Sequence, residues 1–253
     1  MPATFVVRQR WRRALLLVSL IAFPVTMNYL SPYLIVDSAF NGVVNGSLVA
    51  FATMFAGSLF LGRLWCGWAC PGGAVQELAA PVNGRRVSRR AGLVKWAIWV
   101  PWIGFVAFGA SRAGGYRAVD VLYGTVGGIS VAGTADRPIV IAYVIYFAVV
   151  ALFTGLAMAA GRRAGCHTVC WMAPFMIAGR WLRNRFAWPA LRLRADAASC
   201  RECGTCGEAC PMGLDVQALV ASGSMEDREC TLCGTCADTC PHATIRYSFS
   251  AGR

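Results

Sequence analysis

Cys200–Pro241 reads CRECGTCGEACPMGLDVQALVASGSMEDRECTLCGTCADTCP. The pattern C-x2-C-x2-C-x3-C-P occurs in it twice, at Cys200, Cys203, Cys206 and Cys210-Pro211 and again at Cys230, Cys233, Cys236 and Cys240-Pro241. Each run sets three thiols on a tight loop that can wrap one corner of an iron–sulfur cube, and the proline carries the fourth cysteine away. In two-cluster ferredoxins that fourth cysteine ligates the other cluster. The spacing therefore predicts one [4Fe–4S] cluster on Cys200, Cys203, Cys206 and Cys240, and a second on Cys230, Cys233, Cys236 and Cys210. Gly204 and Gly234 fall at equivalent positions, where the backbone must turn sharply beside sulfur. Structural zinc uses four ligands, commonly as two C-x2-C pairs, and leaves the third cysteine and the C-P unexplained. A disulfide framework needs an oxidising compartment, and the topology derived below opposes one.

Outside this stretch the chain changes character. It has 253 residues, 57% hydrophobic and 14% charged, with a net charge of +12. That is too apolar for an ordinary soluble domain of this size. Residues 1–199 carry 20 basic and 5 acidic side chains, whereas residues 200–253 carry 4 and 7. Arginines that flank apolar runs suit membrane orientation better than nucleic acid.

Apolar runs are expected to cross a bilayer at about 14–36, 43–61, 93–110 and 139–160, each long enough for roughly 30 Å of hydrocarbon. Before them, residues 1–13 read as a basic tail. The first run reads as an uncleaved anchor, too long for a signal-peptide core, with Pro24 expected to kink it. Arginine is concentrated in the tail, between runs two and three, and after run four; the 111–137 loop has Arg112, Arg117 and Arg137. The positive-inside rule then predicts a multi-pass protein of a bacterial-type inner membrane with both termini cytoplasmic. The expected fold is an all-α four-helix transmembrane bundle (14–160), a cytoplasmic segment with a surface helix (161–195), and an α+β ferredoxin-like domain (196–253).

Two further cysteine pairs precede the ferredoxin. Cys66 and Cys70 follow run two, Cys166 and Cys170 follow run four, and Arg63 and Arg163 precede the pairs at matching offsets. On a helix each C-x3-C would share one face. The four thiols are a candidate for one additional site, with three readings open: a metal or third iron–sulfur centre, dithiols that cycle through disulfides, or packing alone. The nearby arginines are expected to lower the thiol pKa. Residues 74–80 and 175–182 read as amphipathic pieces along the membrane surface. Gln76 and Glu77 are candidates for a quinone headgroup or, alternatively, part of a solvated face. His167 is a candidate ligand or proton relay, or a surface histidine.

The only histidines are His167 and His242, neither in an apolar run, so bis-His haem is not expected. No C-x-x-C-H and no strand-borne G-x-G-x-x-G occurs, so neither c-type haem nor a Rossmann nucleotide is expected.

Residues 63–77 (RLWCGWACPGGAVQE), residues 166–180 (CHTVCWMAPFMIAGR) and the double ferredoxin motif together resemble the NapH/MauN-type membrane polyferredoxins, related to the C-terminal part of NosR. One departure is that Trp171 follows Cys170, and the proline comes later, at 174. The resemblance implies four spans, cytoplasmic clusters, and electron transfer between the quinone pool and a partner redox enzyme. It leaves open whether quinol is oxidised on this chain, as in the membrane component of a quinol dehydrogenase, or on a partner. An accessory factor that reduces a metal or thiol during assembly of a partner, and a membrane redox sensor, are the competing functions. Expected partners are membrane lipid, a redox protein and a quinone, with no nucleic acid.

Overall fold

The computed structural model describes residues 3–132 and 138–252, so Arg137 lies outside the described residues. The basic N-terminal stretch is helical rather than a free tail: α1 (Ala3–Ile21) runs through it. The chain breaks at Ala22 before α2 (Phe23–Thr26) and a 3-10 turn, and the two segments meet at 58°. Pro24, in the first turn of α2, lacks an N–H and crowds the carbonyl four residues earlier, which accounts for the break. Ser31 caps α3 (Pro32–Phe40) by accepting from the Leu34 amide. The run expected at 14–36 is thus not one helix but a bent pair followed by the start of a third.

A short strand β1 (Val43–Asn45) leads into α4 (Gly46–Leu61), capped by the Asn45 side chain. At 16 residues α4 is about 24 Å long, short of a full hydrocarbon thickness. There follow α5 (Leu64–Trp68), α6 (Pro71–Ala79), α7 (Gly92–Arg112), β2 (Ala118–Asp120) and α8 (Ile139–Ala160). Among the described residues two helices are long and apolar enough to cross a membrane, α7 with its 3-10 lead-in from Arg89, and α8. Both turn large apolar side chains outward, among them Ile98, Phe105, Val144 and Phe147. β1 and β2 pair in parallel and join the far ends of this helical body.

Beyond α8 come α9 (Ala164–Thr168), α10 (Ala173–Arg185), β3 (Ala190–Ala195), α11 (Thr205–Glu208), α12 (Val216–Ala221), α13 (Thr235–Thr239) and β4 (Ile245–Ser250). β3 and β4 are antiparallel, with Ala190 opposite Ser250 and Ala195 opposite Ile245, and they bracket both cysteine motifs. Residues 175–182, expected along the membrane surface, form the middle of α10. α10 is embedded, packed along α4, with Met176 and Ile177 buried and the Phe175 ring edge-on to Trp99 and Trp102. Trp181, on the other side of the helix, stays exposed.

The ends of four helices meet the ferredoxin unit. Arg8 of α1 pairs with Asp238, and the Gln9 amide donates to the Cys233 carbonyl at 3.2 Å. Arg63, just past α4, and Lys95, in the first turn of α7, both reach Glu229. Arg162, just past α8, donates to the Cys210 carbonyl at 3.2 Å.

Candidate iron–sulfur centres

Gly204 and Gly234 adopt left-handed φ values of +74° and +76°, each immediately before the one-turn helix that carries the third cysteine of its motif. A side chain there would oppose the turn that brings three cysteines around one point. The fourth cysteine of each motif then crosses over. Cys200, Cys203, Cys206 and Cys240 line one small cavity. Cys210, Cys230, Cys233 and Cys236 line the other. The second cavity is otherwise lined mainly by apolar side chains, among them Leu193, Met212, Val216 and Met225, while the first also carries Arg201, Glu202, Gln217 and His242. A closed four-thiol cavity of this kind fits a cubane, whose thiolates sit on separate irons.

The loops are anchored from the helical body. Arg180 donates to the Cys230 carbonyl at 2.9 Å, and the Trp68 indole donates to the Leu232 carbonyl at 3.1 Å. Gly67 has no room for a side chain, because a Cβ there would lie 2.4 Å from the Thr231 carbonyl oxygen. The backbone between Cys66 and Cys70 therefore lies flush against the second ferredoxin loop.

The two C-x3-C pairs do come together. Neither pair sits on one continuous helix. Cys66 is in α5 and Cys70 is the residue before α6; Cys166 is in α9 and Cys170 precedes α10. Pro71 and Pro174 each open the following helix within its first turn, so the later proline serves the same purpose as the earlier one. All four thiols are free, buried, and within electrostatic range of one another. The expectation of acidified thiols is overturned. Burial pushes Cys70 and Cys166 up and Cys170 to about 12; Arg163 pulls Cys166 back without cancelling the effect.

Gln76 is fully buried, not on a solvated face. Its carbonyl accepts from the Gly165 amide at 2.8 Å, and its amide lies 3.1 Å from the Cys166 sulfur, so it ties the two cysteine segments together. Glu77 accepts from Arg12 at 2.8 Å and from Arg163 at 2.5 Å. Burial opposes its ionisation, but these two guanidiniums hold its pKa below the ordinary value. His167 is buried too, rather than on the surface. Its Nε2 is 3.0 Å from the Met212 carbonyl and its Nδ1 3.9 Å from Glu229. Burial keeps its pKa low, so it is neutral near pH 7.

Sequence reasoning missed Glu229 and Lys95. Glu229 accepts from Arg63 at 2.8 Å and from Lys95 at 2.8 Å, and Lys95 also approaches the Cys166 carbonyl at 3.3 Å. A lone lysine in an apolar run of an otherwise all-arginine chain was the available signal. Also unforeseen is a cavity of about 740 Å³ in the helical body. Phe23, Met27, Leu30, Ile145, Val149 and Phe153 line it, and it ends at Cys70, Cys166 and Cys170. Neither Gln76 nor Glu77 is on its wall.

Residues 46–90 match the family described as a 4Fe-4S binding domain, and residues 199–245 match the family described as a 4Fe-4S dicluster domain. No curated protein and no solved structure matches the chain. The two matches support an iron–sulfur protein with two 4Fe-4S binding domains, the second spanning all eight cysteines of the double motif.

Proposed function

We propose that this chain is a membrane-bound electron-transfer protein that passes electrons between the quinone pool and a partner redox enzyme. The observation that carries the reading is the pair of cavities with crossed four-cysteine sets. On this reading Cys200, Cys203, Cys206 and Cys240 hold one [4Fe–4S] cluster, and Cys230, Cys233, Cys236 and Cys210 hold the other. Such clusters accept and give single electrons when bound. The protein's own part is to fix their position: Arg180, Trp68 and Gln9 clamp the second loop through its carbonyls. Cys203 is exposed, which suits the first cluster to face a partner.

The membrane assignment rests on the two long apolar helices and their outward apolar faces. With the bent α1–α2 pair and the short α4 as further passes, they would form the four-span bundle. The contacts of α1, α4, α7 and α8 with the ferredoxin unit support both termini on one side, which the arginine distribution assigns to the cytoplasm. The large apolar cavity supports a quinone as the lipid-side partner, since an isoprenoid ring compound needs an apolar chamber that reaches a redox group.

The test is quinol-dependent reduction of the anaerobically purified protein in lipid, followed by electron paramagnetic resonance. The expected result is reduction by a membrane quinol, slowed by Phe153→Trp, which fills the cavity. No reduction by any quinol, with dithionite still reducing both clusters, overturns the quinone part of the proposal.

A further inference from the structure

The four cysteines outside the ferredoxin unit lie among an unusual set of buried charges. Arg63 and Arg163 are 0% and 1% exposed, and Lys95 and Arg12 are 1% and 3% exposed. The carboxylates that meet these four cations are Glu77 and Glu229, leaving an excess of two positive charges in the protein interior. The hydrogen bonding is incomplete in the same place. Arg63 Nε and Nη2 and Arg163 Nε are buried with no partner among the described residues. Buried guanidinium donors without acceptors are rare because each forfeits its hydration. The charge of Arg63 interacts with the sulfurs of Cys66 and Cys170, and that of Arg163 with Cys166, Cys233 and Cys70. Both guanidiniums are therefore placed for an anion at the four sulfurs.

We propose that Cys66, Cys70, Cys166 and Cys170 together hold a third [4Fe–4S] cluster, seated between the apolar cavity and the second ferredoxin loop. Four thiolates around an oxidised cubane carry about two negative charges in total, which offsets the excess. Neutral thiols or disulfides would leave these guanidiniums to the second ferredoxin cluster alone, which Arg163 already approaches at Cys233. A single tetrahedral ion would carry a similar charge, but its thiolates would lie about 3.8 Å apart, from a metal–sulfur bond of about 2.3 Å. The acid-labile sulfide count separates the two, because a single ion brings no sulfide. The matched stretch 46–90 contains only Cys66 and Cys70; the fold supplies the other two from α9 and the start of α10. Arg163 serves both centres, since it also interacts with Cys233 of the neighbouring set.

This proposal stands on iron content rather than on quinol chemistry, so it can fail while the electron-transfer reading survives. Iron and acid-labile sulfide are counted per chain in the full-length protein purified anaerobically, alongside Cys66→Ser and Cys166→Ser. The expected result is about twelve iron and twelve sulfide in the unaltered chain, falling to about eight of each in either variant, with the ferredoxin signals retained. About eight of each in the unaltered chain overturns the proposal. So does eight sulfide with one extra iron or zinc, which means a single ion. If the serine variants do not accumulate, the sulfide count on the unaltered chain decides alone.

Discussion

The Arg63 guanidinium donates to Glu229 at 2.8 Å across 166 residues of sequence. Arg63 stands three residues before Cys66, and Glu229 immediately precedes Cys230. The contact therefore fastens the first C-x3-C segment to the second ferredoxin loop, and Lys95 closes it from α7. Two cations on one buried carboxylate form a junction whose loss exposes both to an apolar surrounding.

Glu229→Gln should destabilise the docked state by about 3–5 kcal/mol, the usual cost of stranding buried charge. Thermal unfolding in detergent measures it, with the Arg89→Gln variant as a control at the exposed partner of Asp227. Equal melting of both variants would mean that the junction does not hold the two parts together.

Gly67→Ala introduces a Cβ 2.4 Å from the Thr231 carbonyl oxygen, so either α5 or the ferredoxin loop must shift. The expected cost is about 1–3 kcal/mol. Faster amide exchange at residues 231–233 would be the signature. An unchanged exchange pattern there would place the flexibility elsewhere.

Cys210→Ser should disturb the cluster assigned to Cys230, Cys233 and Cys236, although Cys210 belongs to the first motif. Cys203→Ser should disturb the other and leave some signal from its neighbour. Paramagnetic resonance of each reduced variant distinguishes them. Loss of the first cluster alone in Cys210→Ser would refute the crossed ligation.

Glu226 and Glu229 both have pKa values of about 2. Burial opposes their ionisation, but Arg180 and Arg183 outweigh it for Glu226, and Arg63 and Lys95 for Glu229. Because the folded pKa is depressed, the stabilisation is fully present above the unfolded value of about 4.3 and is lost as pH falls toward 2. Amide exchange in β3, corrected for intrinsic rate, should stay slow down to about pH 4.5 and rise below it. Loosening already near pH 6 would assign the linkage to other groups.

Both ferredoxin loops are legible from local spacing. Three ligands of each set lie within seven residues, and a glycine at a fixed offset makes the turn, so local spacing carries the geometry. The sequence determined the apolar character of α7 and α8 for the same reason, since a long uncharged run needs no distant partner to be recognised. It marked Cys66, Cys70, Cys166 and Cys170 as one candidate site through their matched arginines, but not that each pair is split between two elements. Packing across the fold, by contrast, set the burial of Gln76 and His167, the break of the first apolar run at Ala22, and the seating of α10 along α4. It also decided which acid answers which base. Arg63 has the same local surroundings as many other arginines in this chain. Its pairing with Glu229 arises because α4 and the ferredoxin loop end at the same point, and an isolated buried charge is too costly to leave unanswered.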